Sequence, residues 1–518
     1  MKYFSLSSLS SFWLVIFLIA FTGCRSSQNT SQTNSSSTEG IVQLTFLHIN
    51  DVYEIGGVSG GKYGNLARVA QLKQELIKEN PNTYLVLSGD FLNPSVLGTL
   101  QLNSKRISGQ QMVDVMNAAK VDFVTFGNHE FDLKENEVLE RIDEAEFEWI
   151  GSNTFYHNNG KTQPFTRKGN PIPTYITLKP KNSTGESINV GLLGITTKYN
   201  QPEFVHYTDE YETAKKVYQK IESQTDFTVA LTHLLESEDE KLANFVPQLK
   251  LLMGGHDHEN MKFTYGQTIM AKADANARTA YIHRLTYNKK TKELKIDSEL
   301  KTIDHSIGYE PTTKATIEKW DTIADSVFEA QGFSPDREVY KLKEPLEARE
   351  AKIRTTQTNA GTLIVDAMAN AFPNAELAIL GSGSVRLDDQ LMGIITEYDV
   401  LRMLPFGGKI YQFTTSGEIL TQFLDAGIKN KGTGGYLQYQ EKLKFDTQKG
   451  WLLNGKKIEK DKQYTLVTND YNLTGKETDM DFMNKDTNKE IKNVISSGDL
   501  DSPQSDIRKA VIVYLEKM

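Results

Sequence analysis

The 518-residue chain has one cysteine, Cys24, so no intrachain disulfide can form. It also lacks a basic excess. Its net charge of −9 argues against a general binder of nucleic-acid polymers, which needs a basic face. That charge does not exclude a small phosphorylated substrate, because bound metal ions can supply the local positive field. No apolar run is long enough to span a bilayer comfortably, and the N-terminal stretch Phe12 to Phe21 falls short. There is no internal repeat. The Gly-rich loop from Gly56 to Gly64 lacks the Lys-Ser/Thr ending of a phosphate cradle, and it reads as a loop near another site. What is present is ordinary for a globular protein: 38% hydrophobic and 10% aromatic residues, in a chain long enough for two domains.

The informative residues stand where apolar runs stop. Val121 to Phe126 is rich in β-branched and aromatic residues and predicts a strand. Gly127-Asn128-His129-Glu130-Phe131-Asp132 follows it. A turn that only reverses the chain has no need of His129. Four other runs of strand length end the same way: Leu44 to Asp51, Tyr84 to Asp90, Thr228 to His233, and Leu251 through His256 to His258. Sites in α/β folds gather at the carboxyl ends of strands. Asp, Asn and His together suit divalent Mn, Fe, Co or Zn. There are too many such residues for one ion, so two are expected. Helices are predicted after the Gly-rich loop, with Leu66, Val69, Leu72, Leu76 and Ile77 on one face, and from about Ser108, with Met112, Val115, Met116 and Ala119 inward.

The order of these blocks resembles the calcineurin-like metallophosphoesterases, and among them the two-domain 5'-nucleotidase family. The resemblance covers nearly all of the chain after residue 40. It implies an α/β fold: a metallophosphoesterase β-sandwich flanked by helices, joined by a helix to a second α/β domain that binds substrate. Carried over residue by residue, it implies that Asp51 and His258 bind the first ion and that Asp90 bridges both. Asn128, His233 and His256 would bind the second. A water activated by the two metals would then attack phosphorus in line. His129 resembles the family's catalytic histidine and Asp132 the carboxylate that orients it. One position departs from the pattern. The first block usually reads Asp-x-His, and here it is Asp51-Val52-Tyr53. A phenol has a free pKa of ~10. Three readings stay open: Tyr53 ligates as a phenolate, it stands beside the ion while a water ligates, or the first site is weakened. The second is favoured.

In the second half, Arg354 to Gly361 and Gly381 to Arg386 resemble the family's phosphate-gripping segments. Arg354 and Arg386 are the expected forked donors. Gln357 stands in a Glu position and Gly381 in an Asn position. Leu404-Pro405-Phe406-Gly407 matches a turn expected to be structural more than a site. Tyr436, and Phe482 in a longer and more polar loop than the family's, are expected to sandwich a base.

At the N-terminus, Phe21-Thr22-Gly23-Cys24 resembles a bacterial lipobox, with Phe21 where Leu is usual. The expectation is a lipoprotein signal peptide over 1–24, lipidated at Cys24, then a Ser/Thr/Asn/Gln-rich tether over 25–39. The metallophosphoesterase domain is expected over 40–307, a connecting helix and hinge over 308–339, and the substrate-binding domain over 340–518. The function implied is phosphate release from nucleotides outside the cytoplasm, by a protein anchored to a membrane in the periplasm or at the cell surface. The alternatives are a diesterase for nucleotide sugars or cyclic nucleotides, motivated by Gly381 and the altered loop before Phe482, and a catalytically weak nucleotide-binding lipoprotein, motivated by Tyr53.

Overall fold

The computed structural model describes residues 40–518, which form one compact unit. The signal peptide, the tether and Cys24 lie outside the described residues.

Strand β1 (Ile41–Ile49) is buried on both faces over its last six residues, as a central strand of a covered sheet must be. It runs parallel to β2 (Thr83–Ser88), which continues through β3 (Phe123–Thr125) to β4 (Glu148–Ile150). A second sheet contains β5 (Tyr175–Leu178), β6 (Val190–Thr196), β7 (Phe227–His233), β8 (Leu249–Gly254), β9 (Met261–Tyr265) and β10 (Thr268–Lys272). Its order is β5-β6-β7-β8-β10-β9, with β6, β7, β8 and β10 parallel. Two antiparallel strands, β11 (Thr279–Asn288) and β12 (Glu293–Thr302), complete the first sheet on the far side of β1.

The two sheets face each other. Val42, Leu44, Phe46 and Val86 of the first pack with Val190, Leu192, Val229, Leu231 and Met253 of the second. The opposite faces are covered by helices, so alternate residues of a strand serve different cores. Leu47 and Ile49 meet α1 (Leu66–Glu79), α2 (Gln110–Ala118) and α3 (Glu135–Glu144). Leu193 and Ile195 meet α4 (Glu210–Ile221) and α5 (Glu236–Phe245). The Asn65 side chain accepts from Ala67 N and starts α1. This is the helix-flanked sandwich that the family resemblance implied.

Helix α6 (Pro311–Ala330) begins with Pro at its first turn and a Glu310 cap. Its buried stripe, Ile317, Trp320, Ala324 and Phe328, joins the core around α1 and α2, and Trp320 Nε1 donates to Asp114 Oδ2 at 3.2 Å. Beyond it, α7 (Asn359–Ala371), β13 (Leu377–Gly381), β14 (Ile410–Ser416), α8 (Gly417–Lys429), β15 (Leu437–Tyr439), β16 (Gln463–Asn469), β17 (Lys492–Ile495) and α9 (Ile507–Leu515) build the second α/β domain. Its sheet order is β15-β13-β16-β14-β17. Alternation again decides the packing: Ala378 and Leu380 face α7 and α9, whereas Leu377 and Ile379 face α8.

Candidate metal centre and active site

Strands β1, β2 and β3 are parallel neighbours in one sheet, and β7 and β8 are parallel neighbours in the other. Their carboxyl ends bring Asp51, Asp90, Asn128, His233, His256 and His258 together. Asp51, Asp90, His256 and His258 all hold positive φ, of 52°, 58°, 83° and 64°. Such angles are uncommon outside glycine and are tolerated best by Asp, Asn and His.

Asp90 is the shared member of two donor sets. Asp51, Asp90 and His258 offer ligand atoms within 4.8 Å of one another, and so do Asp90, His233 and His256. The Asn128 Oδ1 lies 3.2 Å from His233 Nε2, beside the second set. The Asp51 Oδ2 accepts from Asn50 Nδ2 and from His256 N, but its buried Oδ1 has no hydrogen-bond partner and stands 3.2 Å from His258 Nε2. A buried carboxylate oxygen left this way suits a cation. His233 Nδ1 donates to the Ser88 carbonyl at 2.8 Å, which turns its Nε2 toward Asp90 Oδ2 at 3.1 Å. The donors fit two divalent ions that share one carboxylate.

The electrostatics agree. Burial opposes charge on His233 and His258, but the carboxylates around them outweigh it. Their pKa values are pushed up to about 9 and about 10, with Asp90 and Asp388 the leading causes. His256, half-buried beside His233, is pushed down to about 3 by desolvation and by that neighbouring imidazole. Burial among acids invites positive charge, which ions can supply in place of protons. The turns are tight enough to need glycine: a Cβ at Gly127 would fall 2.1 Å from Asp90 Oδ1.

His129 N donates to Asp90 Oδ1 at 2.7 Å, and Asp132 Oδ2 lies 2.8 Å from its Nδ1. Burial opposes the imidazolium, yet Asp132 and Asp90 raise its pKa well above the ordinary value. Glu130, fully buried, accepts from Gly127 N, Asp90 N, Phe91 N and Leu92 N, and so ties the β2 and β3 loops together. Tyr53 is buried, with its hydroxyl 3.0 Å from His258 Nε2 and 3.4 Å from Asp90 Oδ2.

The calcineurin-like phosphoesterase family model matches residues 44–260, and the 5'-nucleotidase C-terminal domain model matches residues 338–484. The chain belongs to the 5'-nucleotidase family of two-domain metallophosphoesterases. It is a hydrolase of phosphoric ester bonds, of a kind that uses two divalent metal ions. Among similar proteins, a 5'-nucleotidase of Vibrio parahaemolyticus is 24% identical over 517 residues, covering 88% of each chain. The trifunctional nucleotide phosphoesterase YfkN of Bacillus subtilis is 24% identical over 440 residues, 77% of this chain, which spans only 28% of that protein's length. The solved structure of a 5'-nucleotidase precursor from Thermus thermophilus superposes with a TM-score of 0.63 at 20% identity, covering 92% of this chain and 96% of that one.

In this 5'-nucleotidase family member, a cavity of about 510 Å³ opens in front of the donor sets and is closed across the domain boundary by Arg349, Lys352 and Arg354. Arg354 is ion-paired with Glu350. Arg386 does not line this cavity, but its Nη1 is 3.8 Å from the same Glu350 and its Nη2 is 2.7 Å from Asp132 Oδ2. Tyr436 and Phe482 line neither this cavity nor the one described next. Tyr436 accepts from Gln357 Nε2 at 3.4 Å, and Phe482 packs half-buried against the core that contains Met480 and Met483. A second cavity, of about 490 Å³, is lined by Gly381, Gly383, Phe406 and Tyr471. Phe406 and Tyr471 are 62% and 46% exposed, unusual for rings at a glycine-walled hollow. Sequence reasoning treated the Phe406 turn as structural, and Asp388, whose carboxylate stands 3.6 Å from His129 Nε2, carried no signal at all.

Proposed function

We propose that the protein is a 5'-nucleotidase-like enzyme that releases phosphate from nucleotides outside the cytoplasm, anchored through a lipid at Cys24. The observation that carries the catalytic part is the pair of donor sets sharing Asp90, set beside the His129–Asp132 pair and facing a cavity lined by Arg354. Asp51, Asp90 and His258 hold one ion, and Asp90, Asn128, His233 and His256 hold the other. Ions there supply the activation of water and the neutralisation of charge that phosphate-ester cleavage needs.

The chain's own groups do the rest. Asp132 accepts from His129 Nδ1 and favours the imidazolium, so that Nε2–H can stabilise charge on the leaving oxygen and protonate it. Arg354 offers a forked donor to the phosphate from the opposite wall. Phe406 and Tyr471 give a base two aromatic faces to lie against, beside the turn at Gly381 and Gly383. Where the resemblance expects Asn at Gly381, the Asn472 Oδ1 lies 3.1 Å from the position a Cβ there would take, and it offers an amide at that point.

Phosphate release from AMP tests the reading, using a chain that begins at residue 40, stripped of metal and then given Mn, Zn, Co or Fe. Metal-dependent release that His129→Ala abolishes is the expected result. No release with any ion would refute it. A diesterase is the second reading, because Lys352 also lines the cavity with Arg354 and offers a cation to a second phosphate group. Cleavage of a diester in preference to AMP would select it.

A further inference from the structure

The metallophosphoesterase half presents the Asp51–Asp90–His258 set with a phenol where an imidazole is usual. A neutral phenol is a weak ligand. The Tyr53 hydroxyl is moreover within donating distance of Asp90 Oδ2, at 3.4 Å. The set therefore has a shortage of strong donors on that side.

The second domain brings one. Asp388 follows Arg386 in the loop after β13, with φ of 47°, and its side chain is only 10% exposed. Two hydrogen bonds hold it, and its neighbour is anchored as well. Its carbonyl accepts from His258 Nδ1 at 2.5 Å, and its Oδ1 accepts from Glu350 N at 2.6 Å. Its neighbour Asp389 pairs with Arg278 at 2.5 Å and accepts from Asn276 Nδ2 at 2.9 Å. The remaining oxygen, Asp388 Oδ2, faces His258 Nε2 at 3.5 Å and His129 Nε2 at 3.6 Å. Among the described residues, no lysine or arginine forms an ion pair with it, and its cationic neighbours are these two imidazoles. A buried carboxylate is ordinarily paired with a cation or bound to a metal.

The spacing suits a metal. Two donors sharing one ion at ~2.0–2.2 Å lie no more than about 4.4 Å apart. Around His258 Nε2 stand Asp51 Oδ1 at 3.2 Å and Asp388 Oδ2 at 3.5 Å. The hydrogen bond from His258 Nδ1 to the Asp388 carbonyl fixes the tautomer whose Nε2 carries the lone pair. A cation at His258 Nε2 would have Asp51 Oδ1 and Asp388 Oδ2 as its neighbouring carboxylate oxygens.

We propose that Asp388, supplied by the second domain, is a ligand of the ion held by Asp51 and His258, and takes the coordination position that Tyr53 leaves. The metal centre is then built from both domains and is complete only when they are engaged. This inference rests on the assignment of Asp51, Asp90 and His258 to one ion.

The test is Mn²⁺ binding to the full-length, metal-stripped chain, read by equilibrium dialysis and by the Mn²⁺ electron paramagnetic resonance spectrum, without substrate. The unaltered chain is expected to bind two ions. Asp388→Asn should weaken one of them by about tenfold to a hundredfold and leave the other unchanged, which also shows that the variant is folded. Adding Tyr53→His to Asp388→Asn should restore the weakened site. Two ions bound by Asp388→Asn as tightly as by the unaltered chain would overturn the inference alone. So would equal weakening of both ions, or failure of Tyr53→His to restore. Fewer than two ions on the unaltered chain would overturn the ligand assignment beneath it, and the inference with it.

Discussion

Arg386, on the second domain, places its Nη2 2.7 Å from Asp132 Oδ2, the same oxygen that lies 2.8 Å from His129 Nδ1. The carboxylate that orients the proposed catalytic histidine is thus held from both domains, with Asn93 Nδ2 at 2.9 Å as a third donor. In this arrangement Arg386 supports Asp132, while Arg354 faces the cavity. Arg386→Ala should therefore act on kcat more than on KM, by about tenfold to a hundredfold, the worth of a charged hydrogen bond at ~1.5–3 kcal/mol. Steady-state kinetics with AMP decide it. A change confined to KM would make Arg386 a binding group only.

The same oxygen sets a pH dependence. Burial disfavours charge on His129, but Asp132 and Asp90 raise its pKa well above the ordinary value, so the imidazolium persists through neutrality. Protonated His129 is the active form in the proposed chemistry, and activity should fall as pH rises through that raised value. Asp132→Asn removes the leading stabiliser of the charge, so His129 loses its proton at lower pH. The basic limb of the kcat profile should move toward acid. A limb that stays in place would mean that another group governs it.

The strand-end residues could be read from sequence because parallel strands place their carboxyl ends at one edge, so Asp51, Asp90, His129, His233 and His256 each fall just where an apolar run stops. Which sheet each strand joins could not. β1 and β7 are equally apolar, and only the family resemblance suggested a sandwich. Asp388 was invisible for a plainer reason: it lies 130 residues from His258 and meets it only through packing of one domain on the other. Phe482 is the opposite case. Its loop looked like a ligand loop, yet Met480 and Met483 anchor the segment in the core and take the ring with them. Phe406 follows a proline and precedes glycines, a pattern that reads as a turn, and its 62% exposure belongs to the folded chain alone.

The second cavity leads to a substrate-dependent prediction. If a base lies against Phe406 and Tyr471, their removal should matter only for substrates that carry one. Phe406→Ala and Tyr471→Ala should each raise KM for AMP by about fivefold to a hundredfold, at ~1–3 kcal/mol per stacked base. Hydrolysis of p-nitrophenyl phosphate should be unchanged. Equal losses on both substrates would place these rings in support of the fold, and no loss on either would move the base elsewhere.

The interface also bears on whether the domains move. Arg402 Nε lies 2.9 Å from Glu54 Oε1, and Tyr398 donates to Glu54 Oε2 at 2.7 Å, with both charged side chains less than 10% exposed. Without Glu54, Arg402 keeps Asp399 Oδ1 at 3.1 Å as a partner, so the cost falls below the ~3–5 kcal/mol of a buried pair broken outright. Glu54→Ala should lower the unfolding midpoint, and Glu54→Ala with Arg402→Met should recover part of the loss. If turnover needs the domains to separate, as the division of metal donors and Arg354 between them suggests, fixing this interface should stop it. The described residues contain no cysteine, so a cysteine pair placed across this interface, away from Asp388 and the residues that hold it, can be oxidised without competition in a chain that begins at residue 40. The oxidised form should lose AMP turnover and regain it on reduction, while the Mn²⁺ stoichiometry stays at two. Turnover that is indifferent to the crosslink would mean that substrate enters and product leaves with the domains as they stand, and α6 would then be a rigid connector rather than a hinge.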